Sequence, residues 1–439
     1  MPKRADTLIE ARWIVPMTVR DLVLEHHALV IRDGLIAALC PIKEAQQEWD
    51  CAETISLPEH VLQPGFVNAH THVAMTLFRG MADDLPLMDW LQNHIWPAEQ
   101  RLVDTDFVRA GTRLACAEMI RNGTTCFNDM YFFPRETAET ASEMGLRASI
   151  GHVIIDVPTR YAANAGEYLA KAEEMQATFK SLPRISSMLA PHAPYTVSND
   201  TLKQVLVLAD RLDLPLHMHI HETAAEVAQS EAQYGMRPLA RLDQLGILSS
   251  RLLAIHMTQL TEEEIALCAA RGVSIGHCPQ SNHKLASGAA PTAALHAAGV
   301  GLALGSDGAA SNNDLDMLAE MQSAALLAKG ASADASALPA WDALKMATLG
   351  GAQAIGIGDR TGSLAMGKAA DCIAINLDHP ATQPVFNVVS QIVYAAGRDQ
   401  VTDVWVEGER LLASGSFTRL DWPALRQEVQ DWRDKIRGK

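Results

Sequence analysis

The segment GFVNAHTHV (65–73) sets His70 and His72 one residue apart at the end of a short apolar run. On an extended strand alternate side chains share a face, so both imidazoles point the same way. Two imidazoles are half of a metal site. Other runs end in the same residue types: His192 in APHAPY, His217, His219 and His221 before Glu222 in HMHIHE, His256 in LLAIHMTQL, and Asp307 in GSDG. Imidazole and carboxylate without thiolate suit a borderline divalent ion, zinc first and iron or manganese next. Three histidines and an aspartate leave a position for water, whose pKa zinc lowers from about 15.7 to about 7. That chemistry is hydrolysis.

Taken singly, several of these residues have an ordinary reading. Asp307 could serve a turn or cap a helix, and His217 would point down into a core. His277 and His283 could simply bond loop carbonyls. The set is harder to dismiss, because histidine or aspartate closes most of the apolar runs at the same end.

The elements that must position these residues follow a repeating beat, a β-rich run and then a helical stretch. The runs are VLQPGFVNAH, TTCFNDM, RASIGHVII, SSMLAPHAP, LPLHMHIHE, LLAIHMTQL, GVSIGHCPQ and VGLALGSDG. Such alternation means a parallel sheet with right-handed crossovers. Eight units over about 250 residues match a (β/α)8 barrel, whose C-terminal strand ends converge on one mouth. A doubly wound open sheet would gather its polar residues at one switch point instead. Residues 1–60 and 361–420 carry further strand patterns, with turns at Asp33-Gly34 and Glu407-Gly408. Neither flank suffices alone. The expectation is a barrel over 61–360 inserted into one small β-sandwich built from both flanks, then a terminal helix over 421–439 capped by Asp421.

Composition narrows the class. The chain of 439 residues is 48% hydrophobic and 20% charged, with a formal net charge of −16. A large core is within reach, and the acidic balance disfavours a nucleic-acid partner. Seven cysteines with no C-x-x-C pair fit reduced thiols and a cytoplasmic location. They also rule out the P-C-x-x-C zinc site of cytidine deaminases. No signal segment or membrane span is read, and homo-oligomerisation stays open.

These motifs resemble the amidohydrolase superfamily: H-x-H after strand one, histidine after strands five and six, and Ser-Asp-Gly after strand eight. The resemblance covers essentially the whole chain. Binuclear members carry a bridging lysine at the end of strand four. This chain has His192 there, so it is similar to the mononuclear deaminase branch. The resemblance implies one zinc per chain on His70, His72, His219 and Asp307. It implies Glu222 as proton shuttle and His256 as the group that orients the attacking oxygen, with Asp307 accepting a proton.

Within the branch, residues 65–91, WPAEQRL (96–102), APHAPYTVS, CPQSN and LGSDGAASNNDLDM resemble the 5-methylthioadenosine/S-adenosylhomocysteine deaminases. Triazine and N-ethylammeline chlorohydrolases share most of these motifs, and they or another purine- or pterin-ring deaminase of the superfamily are the alternative. The implied activity is hydrolysis of a C–N bond in a cyclic amidine. Glu99 would then hold ribose hydroxyls, His192 the purine edge, and Arg160 the carboxylate of the longer substrate. Relatives place a second arginine just after strand three, where this chain reads GHVIID with His152. An apolar 5′ pocket is expected from Met81, Leu85, Trp90 or another side chain of the long loop after strand one. A non-catalytic scaffold would have lost ligands that this chain keeps.

Overall fold

β-Branched and apolar residues concentrate in sixteen strands, and a computed structural model describes them within residues 2–438. Strands β1–β4 are Lys3–Ile14, Leu24–Arg32, Leu35–Pro41 and Trp49–Pro64. Strands β5–β8 are Phe66–Thr71, Thr124–Tyr131, Arg147–Ile154 and Ile185–Pro191. Strands β9–β12 are Leu216–Ile220, Leu252–His256, Ser274–His277 and Gly301–Leu304. Strands β13–β16 are Cys372–Asn376, Val401–Val406, Glu409–Ala413 and Ser416–Phe417.

Strands β5 to β12 form one parallel sheet in sequence order, with helices between them. This sheet closes on itself. Asp307 N–H donates to His70 O at 3.0 Å, and Ser306 N–H donates to Asn68 Oδ1 at 3.0 Å. Val67, Met188, Leu253, Ile255 and Ala303 fill the interior, where they meet Ala352 and Ile355 from the short helix Gly351–Ala354 and its C-terminal cap. The polar residues are left for the opposite, C-terminal mouth.

The remaining strands form a mixed sheet in the order β16-β15-β14-β13-β4-β1-β2-β3. The expected sandwich is thus one sheet that curls over its own core. Leu29, Ile31 and Ile36 from one wing pack in one cluster with Cys372, Ala374 and Trp405 from the other. The two expected hairpin turns meet at the seam. Asp33-Gly34 and Glu407-Gly408 all have positive φ, between 52° and 77°, the mark of type I′ turns. A Cβ on Gly34 would lie 2.7 Å from Glu407 O, so this seam needs glycine.

The run VLQPGFVNAH divides between the sheets: its first residues complete β4, and β5 begins only at Phe66. A buried ion pair joins the two units, with Arg147 Nε and Nη2 donating to Asp371 at 2.8 and 3.2 Å. The terminal helix Trp422–Ile436 is capped by Asp421, which accepts Ala424 N–H at 3.0 Å. Its Trp432 packs edge-on against Phe107 at the flank of the barrel.

Candidate active site

At the C-terminal mouth the ligand atoms of His70, His72 and His219 lie within 4.8 Å of one another, as do those of His70, His256 and Asp307. Hydrogen bonds fix the free nitrogens. His72 Nδ1 contacts Met130 O at 2.5 Å, and His219 Nδ1 contacts His192 O at 2.8 Å. A carbonyl only accepts, so each Nδ1 carries the proton, and in a neutral ring Nε2 is a bare lone pair. His70 Nδ1 is engaged by His217 Nε2 at 2.9 Å.

The Nε2 atoms face one another and a carboxylate. His219 Nε2 lies 3.2 Å from His70 Nε2, and Asp307 Oδ1 lies 3.3 Å from Nε2 of both His70 and His72. Three imidazole nitrogens and a carboxylate oxygen crowded around one point in a buried site fit a cation, and this ligand set suits zinc. Burial lowers His70 to about 4 and takes His219 well below its ordinary value, so both stay neutral, whereas at His72 the Asp307 carboxylate outweighs burial and raises it to about 9. Burial works to raise Asp307, but His70 and His72 beside it outweigh burial and hold the carboxylate well below its ordinary value. Ser281 and Ser311 hydroxyls donate to its other oxygen at 2.6 and 3.0 Å.

Glu222 and His256 stand beside this cluster, with His256 Nε2 3.8 Å from Glu222 Oε2. His256 Nδ1 is paired with Asn282 Oδ1 at 2.8 Å, so its Nε2 faces the mouth. Burial raises the proton affinity of Glu222, with His256 opposing the shift. His221, His256, Met257 and Asp307 all adopt positive φ at the strand ends. Strain of about 1–3 kcal/mol per such residue is common where a site over-determines the backbone.

A cavity of about 680 Å3 opens above the cluster, lined by Glu99, Arg160, His192 and Glu222 among others. Glu99 comes from Trp96–Leu102, which follows a widened helical turn at Trp90–Ile95. Tyr131 O–H donates to Glu99 Oε1 at 2.7 Å. Burial pushes Glu99 up to about 7 against that hydrogen bond. His192 is lowered to about 3 by burial and stays neutral. Arg160 is exposed at the solvent end and donates to Arg101 O at 2.9 Å.

Several expectations need correcting. His217 and His219 share the inward face, but His221 turns away at φ 54° and accepts Leu239 N–H on Nε2. His152 does not line the cavity. Strand alternation turns it outward, where it stacks on Phe179 at 5.1 Å, and Val153 and Ile155 line the wall instead. Met81 and Leu85 also stay behind the wall in an apolar cluster, whereas Trp90 lines it. Trp90 Nε1 is buried without a partner. Tyr131 and the bracing role of His217 were not read from the sequence, because their partners lie far away along the chain.

A (β/α)8 barrel with a histidine–aspartate centre at its C-terminal mouth defines a metal-dependent hydrolase. The chain belongs to the amidohydrolase family, whose model matches residues 61–411. It is 45% identical over 434 residues to a 5-methylthioadenosine/S-adenosylhomocysteine deaminase of Saccharophagus degradans, covering 99% of this chain and 97% of the relative. A namesake from Teredinibacter turnerae is 44% identical, with 99% and 98% covered. Among solved structures, an adenosine deaminase from Xanthomonas campestris with bound zinc is 53% identical, with TM-score 0.99 and full coverage of both chains. An atrazine chlorohydrolase from Arthrobacter aurescens complexed with zinc shares the fold at TM-score 0.91 and 21% identity, with 97% and 100% covered.

Proposed function

We propose that this protein is a zinc-dependent hydrolytic deaminase that converts 5′-methylthioadenosine and S-adenosylhomocysteine to their inosine forms with release of ammonia. The observation that carries the reading is the convergence of imidazole nitrogens and Asp307 Oδ1 beneath a cavity that also holds Glu99. Relatives named for this activity, aligned over nearly the full chain, support it. A cytoplasmic setting fits the seven free cysteines.

His70, His72, His219 and Asp307 would hold one divalent ion. Once bound, zinc lowers the pKa of water into the neutral range and so supplies the nucleophile. The protein's own groups do the rest. Glu99 accepts the ribose hydroxyls, and the neutral His192 meets the purine edge. Trp90 Nε1 offers a further donor to the bound nucleoside. Glu222 begins ionised, collects one proton from the attacking water and delivers it to ring N1 as C6 becomes tetrahedral. Asp307 moves the second proton of the water to the exocyclic amine, so that neutral ammonia leaves. His256 orients the attacking oxygen.

The test is ammonia release by the zinc-loaded protein with methylthioadenosine, adenosylhomocysteine, adenosine, guanine and ammeline derivatives. Turnover of the adenine thioethers is expected. Turnover of triazines with none of any nucleoside would move the protein to the chlorohydrolase activity.

A further inference from the structure

Thr223 and Glu226 repeat the Thr-x-x-Glu pattern of Thr261 and Glu264, the signature of a reciprocal helix cap. The second pair closes in the usual way. Glu264 N–H donates to Thr261 Oγ1 at 3.3 Å, and Thr261 N–H donates to Glu264 Oε2 at 3.0 Å. The first pair makes only half of the box, with Glu226 N–H donating to Thr223 Oγ1 at 3.2 Å. The Glu226 carboxylate reaches past its own cap. It accepts His221 N–H on Oε1 at 2.9 Å and Glu222 N–H on Oε2 at 2.8 Å.

The carbonyls of the same two residues are held from the other side. Thr258 N–H donates to His221 O at 3.0 Å, and Thr258 Oγ1 donates to Glu222 O at 2.7 Å. Every backbone polar group of His221 and Glu222 is therefore held by Glu226 on one flank or Thr258 on the other, with Gln259 N–H adding a second donor to His221 O at 3.2 Å. Glu226 is buried, and the segment it grips contains the left-handed His221 at φ 54°.

We propose that Glu226, with Thr258 opposite it, is a positioning residue that holds Glu222 in the orientation needed for proton transfer. The proposal rests on the reading of Glu222 as proton carrier. Two N–H donors arrive on two oxygens, so both oxygens must accept. A carboxamide keeps one acceptor and sets its own N–H2 against the other donor.

The test compares Glu226→Gln, Thr258→Val and Glu222→Gln in the zinc-loaded enzyme. Glu226→Gln is expected to keep zinc and KM while kcat falls about 10–100-fold, the usual effect of losing an outer-shell partner. Thr258→Val should lower kcat in the same selective way, and it tests the grip if Glu226→Gln does not fold. In the Glu222→Gln background, Glu226→Gln should cost nothing further, because the two act as a unit. Wild-type kcat in both clamp variants, losses that add independently, or loss of zinc in step with kcat would overturn the proposal. Sustained turnover by Glu222→Gln would instead remove the proton-carrier reading on which it rests.

Discussion

His72 and His219 give their Nδ1 protons to backbone carbonyls, while His70 leans on another side chain, His217. That difference sets an order of sensitivity. His219→Ala deletes a ligand and is expected to abolish zinc binding. His217→Ala removes only the brace and should weaken zinc affinity about 10–100-fold. Zinc content after dialysis against graded chelator separates the two, and equal retention would contradict the proposed ligand set. Glu99 titrates in reach of working pH. Held up to about 7 by burial, it is protonated below that pH and ionised above it. Only the ionised form accepts two ribose hydroxyls. KM for a ribonucleoside should therefore fall as pH rises through about 7, while a 2′,3′-dideoxy analogue and the Glu99→Gln enzyme show no such step. Much of this site was legible, because strand alternation aligns His70 with His72 whatever surrounds them. The brace was not, since His217 lies 147 residues from His70.

The strands reveal what sequence patterns carry and where they stop. Eight apolar runs ending in polar residues were enough to expect a barrel, because a short parallel strand buried on both faces reads as a continuous apolar run. Alternation within a run needs a register, and His152 went astray for that reason: one position along β7 separates the cavity wall from the outer layer. His221 escaped for another, since a left-handed residue ends the alternation that a strand pattern assumes. The closure of the barrel depends on a close approach no local pattern announces. A Cβ on Gly305 would lie 2.7 Å from His70 Cβ and 2.9 Å from its N. Gly305→Ala is thus expected to push β5 away from the end of β12, lowering stability by about 1–3 kcal/mol and reducing zinc occupancy. Gly330→Ala, on a helix with open space around it, is the control and should leave both unchanged or slightly raise stability. Denaturation curves with parallel zinc analysis distinguish these outcomes.

Across the whole molecule, the curled sheet and terminal helix brace the barrel, and the cavity above the metal cluster decides what the enzyme can take. On the proposed reading its floor takes the adenine ring and ribose, so selection among substrates would fall to the outer wall, beside the 5′ substituent. That wall is largely apolar, with Phe132, Phe133, Val153, Ile155 and Val157 among its side chains. A methylthio group needs nothing more. A homocysteine tail also brings a carboxylate, and Arg160 is the one arginine among the lining residues, which include no lysine. Its guanidinium is exposed, so water screens much of what it offers. Methylthioadenosine is therefore expected to be turned over with kcat/KM at least equal to that for adenosylhomocysteine. Arg160→Met should reduce kcat/KM for adenosylhomocysteine by less than about tenfold, in line with an exposed charge pair worth up to about 1 kcal/mol, and leave methylthioadenosine unchanged. Measuring both substrates on both enzymes checks this directly. An equal loss for the two would mean that Arg160 supports the loop around it through Arg101 O rather than reading the tail.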